Sequence, residues 1–161
     1  MPYSDSKQNE DDLPYTLALI RAMLEAAADG MLATDEQGQI TSWNTKFVAM
    51  WRASQELVAL RDVLKVVAFI AQQLKDSERY PARIAEIEAS KEKSLDLLEL
   101  VDERLIEVYS DVISVEERFV GRLWSFRDVT QRHESDLIPR RLAAIVGTRE
   151  RNASLATQPR R

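Results

Sequence analysis

Residues 94–130 read SLDLLELVDERLIEVYSDVISVEERFVGRLWSFRDVT. Apolar and polar side chains alternate through three runs, SLDLLEL, RLIEVYSDVIS and FVGRLWSFRDVT, and the charged breaks VDE and VEE separate them. Period-two alternation bounded by short polar breaks predicts three strands in an antiparallel meander. A meander buries one face only, so the remaining chain has to cover that face or curl around it.

Upstream the period changes. Val63, Val66, Val67, Ile70 and Leu74 recur at helical spacing, which predicts a helix over residues 62–75 with Asp62 as its cap. A second helix, led by Pro81, carries Ile84 and Ile87 and fades into EASKEKS. Further back, MLATD, EQG and QITSW read as a hairpin. Its turn has Asp35 placed to accept from the backbone two residues on, and Gly38 free to take positive φ. Asn44 stands at the end of the second strand and ahead of Phe47, Val48, Met50 and Trp51, a natural N-cap position. Ser54 caps the next short helix in the same way. Leu17, Ile20, Leu24 and Ala27 mark one face of a helix over residues 13–28, with Pro14 in its first turn. That spacing is also a short a/d seam, suited to a sheet or to a twin helix in a dimer. Residues 1–12 read as disordered. The sum is an α+β fold. Two strands, a helical crossover and the meander give a five-stranded antiparallel sheet with a flanking N-terminal helix. Such a half-open cup can enclose a small molecule.

Composition removes whole classes of function. The 161 residues include no Cys and one His, which excludes disulfides, thiolate metal sites and thiol catalysis and leaves zinc without a ligand set. No metal site is expected. No apolar run approaches the roughly 18 residues of a membrane span, and the opening MPYSDSKQNEDD is no secretory signal. The cytoplasm is the expected location. Residues 1–130 hold 15 Lys plus Arg against 24 Asp plus Glu, whereas residues 131–161 hold seven Arg against three acids. An acidic body disfavours nucleic acid as a partner, and a basic tail without aromatic residues cannot stack on bases. The four Gly build no phosphate-cradling motif. The acidic pairs Asp11/Asp12, Glu86/Glu88 and Glu116/Glu117 are expected in polar loops or on helix surfaces, where nothing raises a carboxylate pKa. No catalytic residue is assigned and no enzyme is expected in this domain.

Two pieces of the chain, ADGMLATDEQGQITSWNTKFVAMW at residues 28–51 and GRLWSFRDVTQR at residues 121–132, resemble a PAS domain. Between them LKVVAFIAQQLKD and SLDLLELVDERLIEVYS match in character and spacing. The first piece is similar to the family's opening hairpin, with a D-x-x-G turn and W-N closing the second strand. The last is similar to its final strand and the D-[IV]-T exit that hands over to a signalling helix. Asn44 matches the family's helix-capping Asn, and Asp128, Thr130 and Arg132 match the exit motif. Thr130 is also a sensible N-cap, and Asp128 with Arg132 a candidate ion pair.

The resemblance implies a sensor domain over residues 13–132, often dimeric, that serves an effector such as a histidine kinase or a cyclic-dinucleotide enzyme. Members hold haem, flavin, carboxylates or fatty acids, and many hold nothing known, so the cofactor is unknown. Without Cys, a cysteinyl-flavin adduct and a thiol-linked chromophore are excluded. Haem is disfavoured, because the helix over residues 62–75 offers no His. The lone His133 opens HESDLIP, which departs from the H-E-[LI]-R-x-P phosphoacceptor box, and reads as an exposed structural residue. Phe47, Trp51, Phe69 and Trp124 are either pocket lining or ordinary core. A small polar or aromatic ligand is expected, since no Lys or Arg cluster is placed to neutralise a strong anion. Residues 133–147 read as a short helical extension, with a second helix opened by Pro139 and stopped by Gly147, and residues 148–161 as a disordered basic tail. The chain is then a fragment cut after its sensor or a free-standing protein whose output is binding. Its role is signal sensing through the flanking helices, with a homodimer and a protein effector as expected partners. The alternatives are a ligand-free dimerisation module and a small enzyme using the cup.

Overall fold

Alternation along residues 94–130 does produce strands, and the upstream hairpin completes one sheet. The computed structural model describes residues 5–136, which fall into two units divided after Asp128. In the first unit, β1 (Gly30–Asp35), β2 (Ile40–Trp43), β3 (Ser94–Glu99), β4 (Leu105–Val115) and β5 (Arg118–Asp128) form an antiparallel sheet in the order β2-β1-β5-β4-β3. The last strand in sequence is therefore the central one. It pairs with β1 from Gly30↔Phe126 to Asp35↔Gly121, and with β4 from Ile106↔Asp128 to Val115↔Arg118.

The concave face carries Leu32 and Thr34 of β1, Ile106, Val108 and Ser110 of β4, and Arg122, Trp124 and Phe126 of β5, all buried. Five helices accompany the sheet: α1 (Asp5–Ala26), α2 (Thr45–Trp51), α3 (Gln55–Ala59), α4 (Val63–Ala71) and α5 (Arg79–Ala89). Phe47, Trp51, Val58, Val66, Val67, Ile70, Tyr80 and Ile87 from these helices join the concave face in one apolar core. Each large side chain so buried contributes about 1.5–3 kcal/mol. Two glycines allow the closest approaches. A Cβ on Gly121 would lie 2.0 Å from the Thr34 carbonyl oxygen, and one on Gly30 would lie 2.9 Å from the Phe47 Cα.

Local chemistry follows the sequence reading at most helix starts. The side chains of Asn44, Ser54 and Asp62 accept from the first backbone N–H groups of α2, α3 and α4. Asp35 Oδ1 accepts from the N–H of Gln37 and Gln39 at 2.9 Å each, and Gly38 has φ 76°.

Three boundaries differ from expectation. The N-terminal helix begins at Asp5 and ends at Ala26, so Pro14 lies inside it and residues from Asp5 onward are helical where disorder was expected. A proline there removes one ladder hydrogen bond and leaves the others. The helix expected over residues 62–75 stops at Ala71, because the following segment pairs with the chain after β3. Lys75 N–H donates to the Glu99 carbonyl and Val101 N–H to the Gln73 carbonyl, each at 2.9 Å. Leu74, placed by its spacing on a helical stripe, forms a bridge with Leu100 instead. Pro81 is the third residue of α5, not its first, where its missing N–H is one of those left without a helical partner anyway.

The second unit is described over residues 129–136, of which 130–136 are helical. The second short helix after Pro139 and the basic tail lie outside the described residues. Among the described residues no helix is long and apolar enough to cross a membrane.

The β4–β5 turn places Glu116 and Glu117 at φ 50° and 64°. Two successive left-handed residues suit Asn-Gly far better than Glu-Glu. Glu116→Asn combined with Glu117→Gly should therefore raise stability by about 1 kcal/mol, read as a higher midpoint in urea with an unchanged slope.

Candidate functional site

One side chain organises the approach to the interior. Asn44 is fully buried between α1, β1 and α2. Its Oδ1 accepts from Met31 N–H at 2.8 Å and Phe47 N–H at 3.0 Å. Its Nδ2 donates to the carbonyls of Leu24 and Asp29 at 2.8 and 2.9 Å. Around it, the Glu25 carboxylate accepts from Thr45 N–H and hydroxyl, and Lys46 Nζ donates to the carbonyls of Glu25 and Ala27. Asp29 fastens the same junction to β5. It accepts from Arg127 Nε at 2.9 Å, Arg127 Nη2 at 3.1 Å and Ser125 Oγ at 2.9 Å. Burial pushes the Asp29 carboxyl up, but those hydrogen bonds and the Arg127 charge outweigh it and hold the pKa below the ordinary value.

Beyond Asn44 lies the cup. Phe47 and Trp51 of α2 pack on Phe126, with ring centroids 5.1 and 5.8 Å away. Leu32, Val63, Val66, Val67, Ile70, Ile84, Tyr80 and Trp124 complete the walls of an apolar cavity of about 20 Å³ with Phe47 and Phe126. Of the four aromatic candidates, Phe47 and Trp124 line this cavity. Trp51 is wholly buried elsewhere in the core, with its indole N–H unpartnered, and Phe69 is half-buried against the core. A space of this size holds one water molecule at most.

A polar cluster closes one end. Arg122 is 1% exposed. Its Nη1 donates to the Glu92 carbonyl and to Ser110 Oγ at 2.9 Å, and its Nη2 to the Ser90 carbonyl at 2.7 Å. The guanidinium also lies 5.8 Å from the Trp124 ring. Ser110 shares a 2.8 Å hydrogen bond with Ser94. Glu88 faces this cluster with Oε1 buried and unpartnered. Burial pushes its carboxyl above the usual range, against the opposing Arg122 charge and a hydrogen bond with Trp124. Glu88 was expected on a helix surface with an ordinary pKa, and the structure corrects that. Helical spacing located α5 but could not say that its last turn abuts the sheet. Arg122 was not singled out either. The only signal for it is its place two residues before Trp124 on the inward face of β5.

The exit residues are spread along the chain's course. Asp128 is the last residue of β5 and is exposed, Thr130 is half-buried, and Arg132 is exposed. Thr130 is already helical. The Val129 carbonyl accepts from His133 N–H at 2.9 Å, so Val129 and not Thr130 holds the cap position. His133 is exposed.

Comparison with known families now bears on this geometry. The model of the PAS fold matches residues 18–129. This chain belongs to the PAS family. Its Asn44, its D-x-x-G turn and its central β5 are thus parts of a PAS domain. Among solved structures, the PAS domain of BvgS from Bordetella pertussis is similar at 13% identity and TM-score 0.55, covering 83% of this chain and 98% of that one. A PAS domain from Colwellia psychrerythraea is 21% identical with TM-score 0.49, covering 72% of this chain and 98% of that one. The PAS domain of an HTR-like protein from Haloarcula marismortui is 21% identical with TM-score 0.49, covering 76% and 98%. No curated protein matches the sequence.

Two measurements test the polar anchors of this PAS domain. Asn44→Ala removes four hydrogen bonds to backbone groups and should cost about 3 kcal/mol or more in a denaturant melt; a loss below about 1 kcal/mol would remove Asn44 from its central place. For Glu88 the folded pKa is raised, so its contribution is fully present below the unfolded pKa and is lost as pH rises through the folded value. Wild type should therefore lose stability relative to Glu88→Gln as pH rises above the ordinary carboxylate range. A difference that is flat with pH, or of opposite slope, contradicts the assignment.

Proposed function

We propose that this PAS domain is a signalling module that senses a small molecule in its interior, or the state of a partner, and transmits it through α1 and the helical segment after β5. The observation that carries this reading is the fourfold bonding of Asn44. A ligand that enlarges the cavity has to displace the helices over it, and α2 contributes Phe47 to the wall. Any shift of α2 pulls, through the Asn44 amide, on the carbonyls of Leu24 and Asp29 where α1 meets β1. The second path is covalent. Trp124 and Phe126 line the cavity from β5, which ends at Asp128 directly before residues 130–136. Both paths describe a shift between two packings, with no bond made or broken. The apolar, aromatic wall suits a small apolar or aromatic molecule.

A second reading, a ligand-free dimerisation module, is favoured by α1. Leu13, Tyr15, Leu17, Leu19, Ile20 and Met23 are each at least 47% exposed. A helix with this much uncovered apolar surface gains stability by packing on a twin. In the sensing reading the same helix is the dimer contact that the signal alters.

Native mass spectrometry of freshly purified protein separates the two. Sensing predicts a dimer carrying a non-covalent adduct, or a melting temperature that rises with an added apolar ligand. A bare dimer whose melting temperature no added ligand raises supports the dimerisation module instead. Under either reading, Leu17→Glu with Ile20→Glu should shift the mass from dimer to monomer while leaving the circular dichroism of the sheet intact. A dimer that survives both charges removes α1 from the interface.

A further inference from the structure

The small cavity that the sensing role uses shares one lining residue with a larger space outside it. Outside it, between α5 and β3, runs an open groove of about 710 Å³ lined by residues of the Leu74–Glu86 stretch and of β3. Tyr80 is the one residue that lines both the groove and the 20 Å³ cavity. Its side chain is 6% exposed and separates the two spaces.

We propose that Tyr80 is the gate of the cavity and that the groove between α5 and β3 is the way in, so that the swing of this one ring sets which molecules reach the interior. The inference rests on the reading of the domain as a small-molecule sensor and deepens it.

Three features make the swing physically reasonable. First, the two ends of α5 are held unequally. Its C-terminal end is anchored, because buried Arg122 grips the Ser90 and Glu92 carbonyls. At its N-terminal end Glu78 makes no side-chain cap hydrogen bond. A helix pinned at one end moves at the other, and Tyr80 is its second residue. Second, an ion pair joins α5 to β3 across the groove, Arg83 with Asp96, at 2.9 Å from Nε and 3.2 Å from Nη2. Arg83 also reaches Glu86 at 3.2 Å on its own helix, so releasing Asp96 leaves the guanidinium with a partner. Both side chains of the pair keep contact with solvent, so opening it leaves neither charge buried. Third, the space gained is of the right order. The cavity alone is too small for an organic molecule, whereas small-molecule sites occupy about 300–1,000 Å³. With Tyr80 displaced, cavity and groove become one site of that class. Its deep part is apolar, and its mouth carries charges of both signs, Lys75, Arg79 and Arg83 against Asp76, Glu86, Asp96 and Glu99. Such a mouth selects for size and an apolar body and does not select for net charge.

The chain contains no Cys, so a removable clamp can be placed across the groove. Arg83→Cys with Asp96→Cys, joined by a short bis-methanethiosulfonate linker, ties α5 to β3 until reductant releases it. The probe is 1-anilinonaphthalene-8-sulfonate, followed by stopped-flow fluorescence. We expect uptake in the linked protein to be at least tenfold slower than after release, and uptake in Tyr80→Ala to be at least tenfold faster than wild type. Equal rates in the linked and released forms overturn the gate. If the probe binds no form, the small-molecule reading fails on its own account, and hydrogen exchange of the same two samples decides the gate. A gate requires local opening of residues 79–84 that the linker suppresses. Exchange there that the linker leaves unchanged overturns it.

Discussion

A primary amide has two acceptor lone pairs and two N–H bonds, and inside this protein the Asn44 side chain makes four hydrogen bonds with them. No other residue of similar size does the same. Aspartate has no donors for the Leu24 and Asp29 carbonyls when ionised, and an apolar residue makes none of the four bonds. The consequence is geometric. The end of α1, the start of β1 and the first turn of α2 all bond to this one side chain, which water cannot reach. The position of Phe47, and with it one wall of the cavity, follows from that bond set.

Arg122 does the corresponding work at the other end of the sheet. Burying a guanidinium is costly unless its N–H groups are satisfied. Here backbone carbonyls on either side of Lys91, together with Ser110, accept from it. The link between α5 and β3 is thereby fixed to the central strand. Between these two polar anchors the concave side is filled with aromatic and branched side chains, which is why so little empty space remains. A packed interior of this kind does not deform continuously. Of the two ends of α5, the C-terminal one is tied to Arg122, while Glu78 at the N-terminal one makes no side-chain cap hydrogen bond.

The concentration of bonding at the α1–β1 junction also couples elements that are far apart in the chain. Asn44, Glu25, Lys46, Asp29 and Arg127 tie α1 to α2 and to β5 at once. Between Leu13 and Met23, α1 carries exposed apolar side chains. A helix that is firmly held at its base and uncovered along its length is suited to carry a small displacement to whatever covers it.

Much of this architecture was legible in the residues themselves. Period-two alternation in residues 94–130 requires strands because side chains on a strand point to opposite faces in turn. Asn44, Ser54, Asp62 and Asp35 announce their turns and caps because the bond each makes into its own cap or turn reaches backbone only two to four residues away, whereas the other three bonds of Asn44 are long-range. The cap and turn bonds are local interactions, and local sequence determines them. What only the tertiary structure decided are the features made by residues far apart in the chain. Leu74 fits a helical stripe but bridges to Leu100, because the backbone groups on either side of it, the Gln73 carbonyl and the Lys75 N–H, bond to Val101 and Glu99. Glu88 looks like a surface acid until α5 is laid against the sheet, and then its carboxyl faces Trp124 and Arg122. Tyr80 separates two spaces that lie between elements with no periodicity in common. Periodicity states which face of an element is apolar, but which partner that face meets, and how much room is left between them, is settled only when the whole core packs.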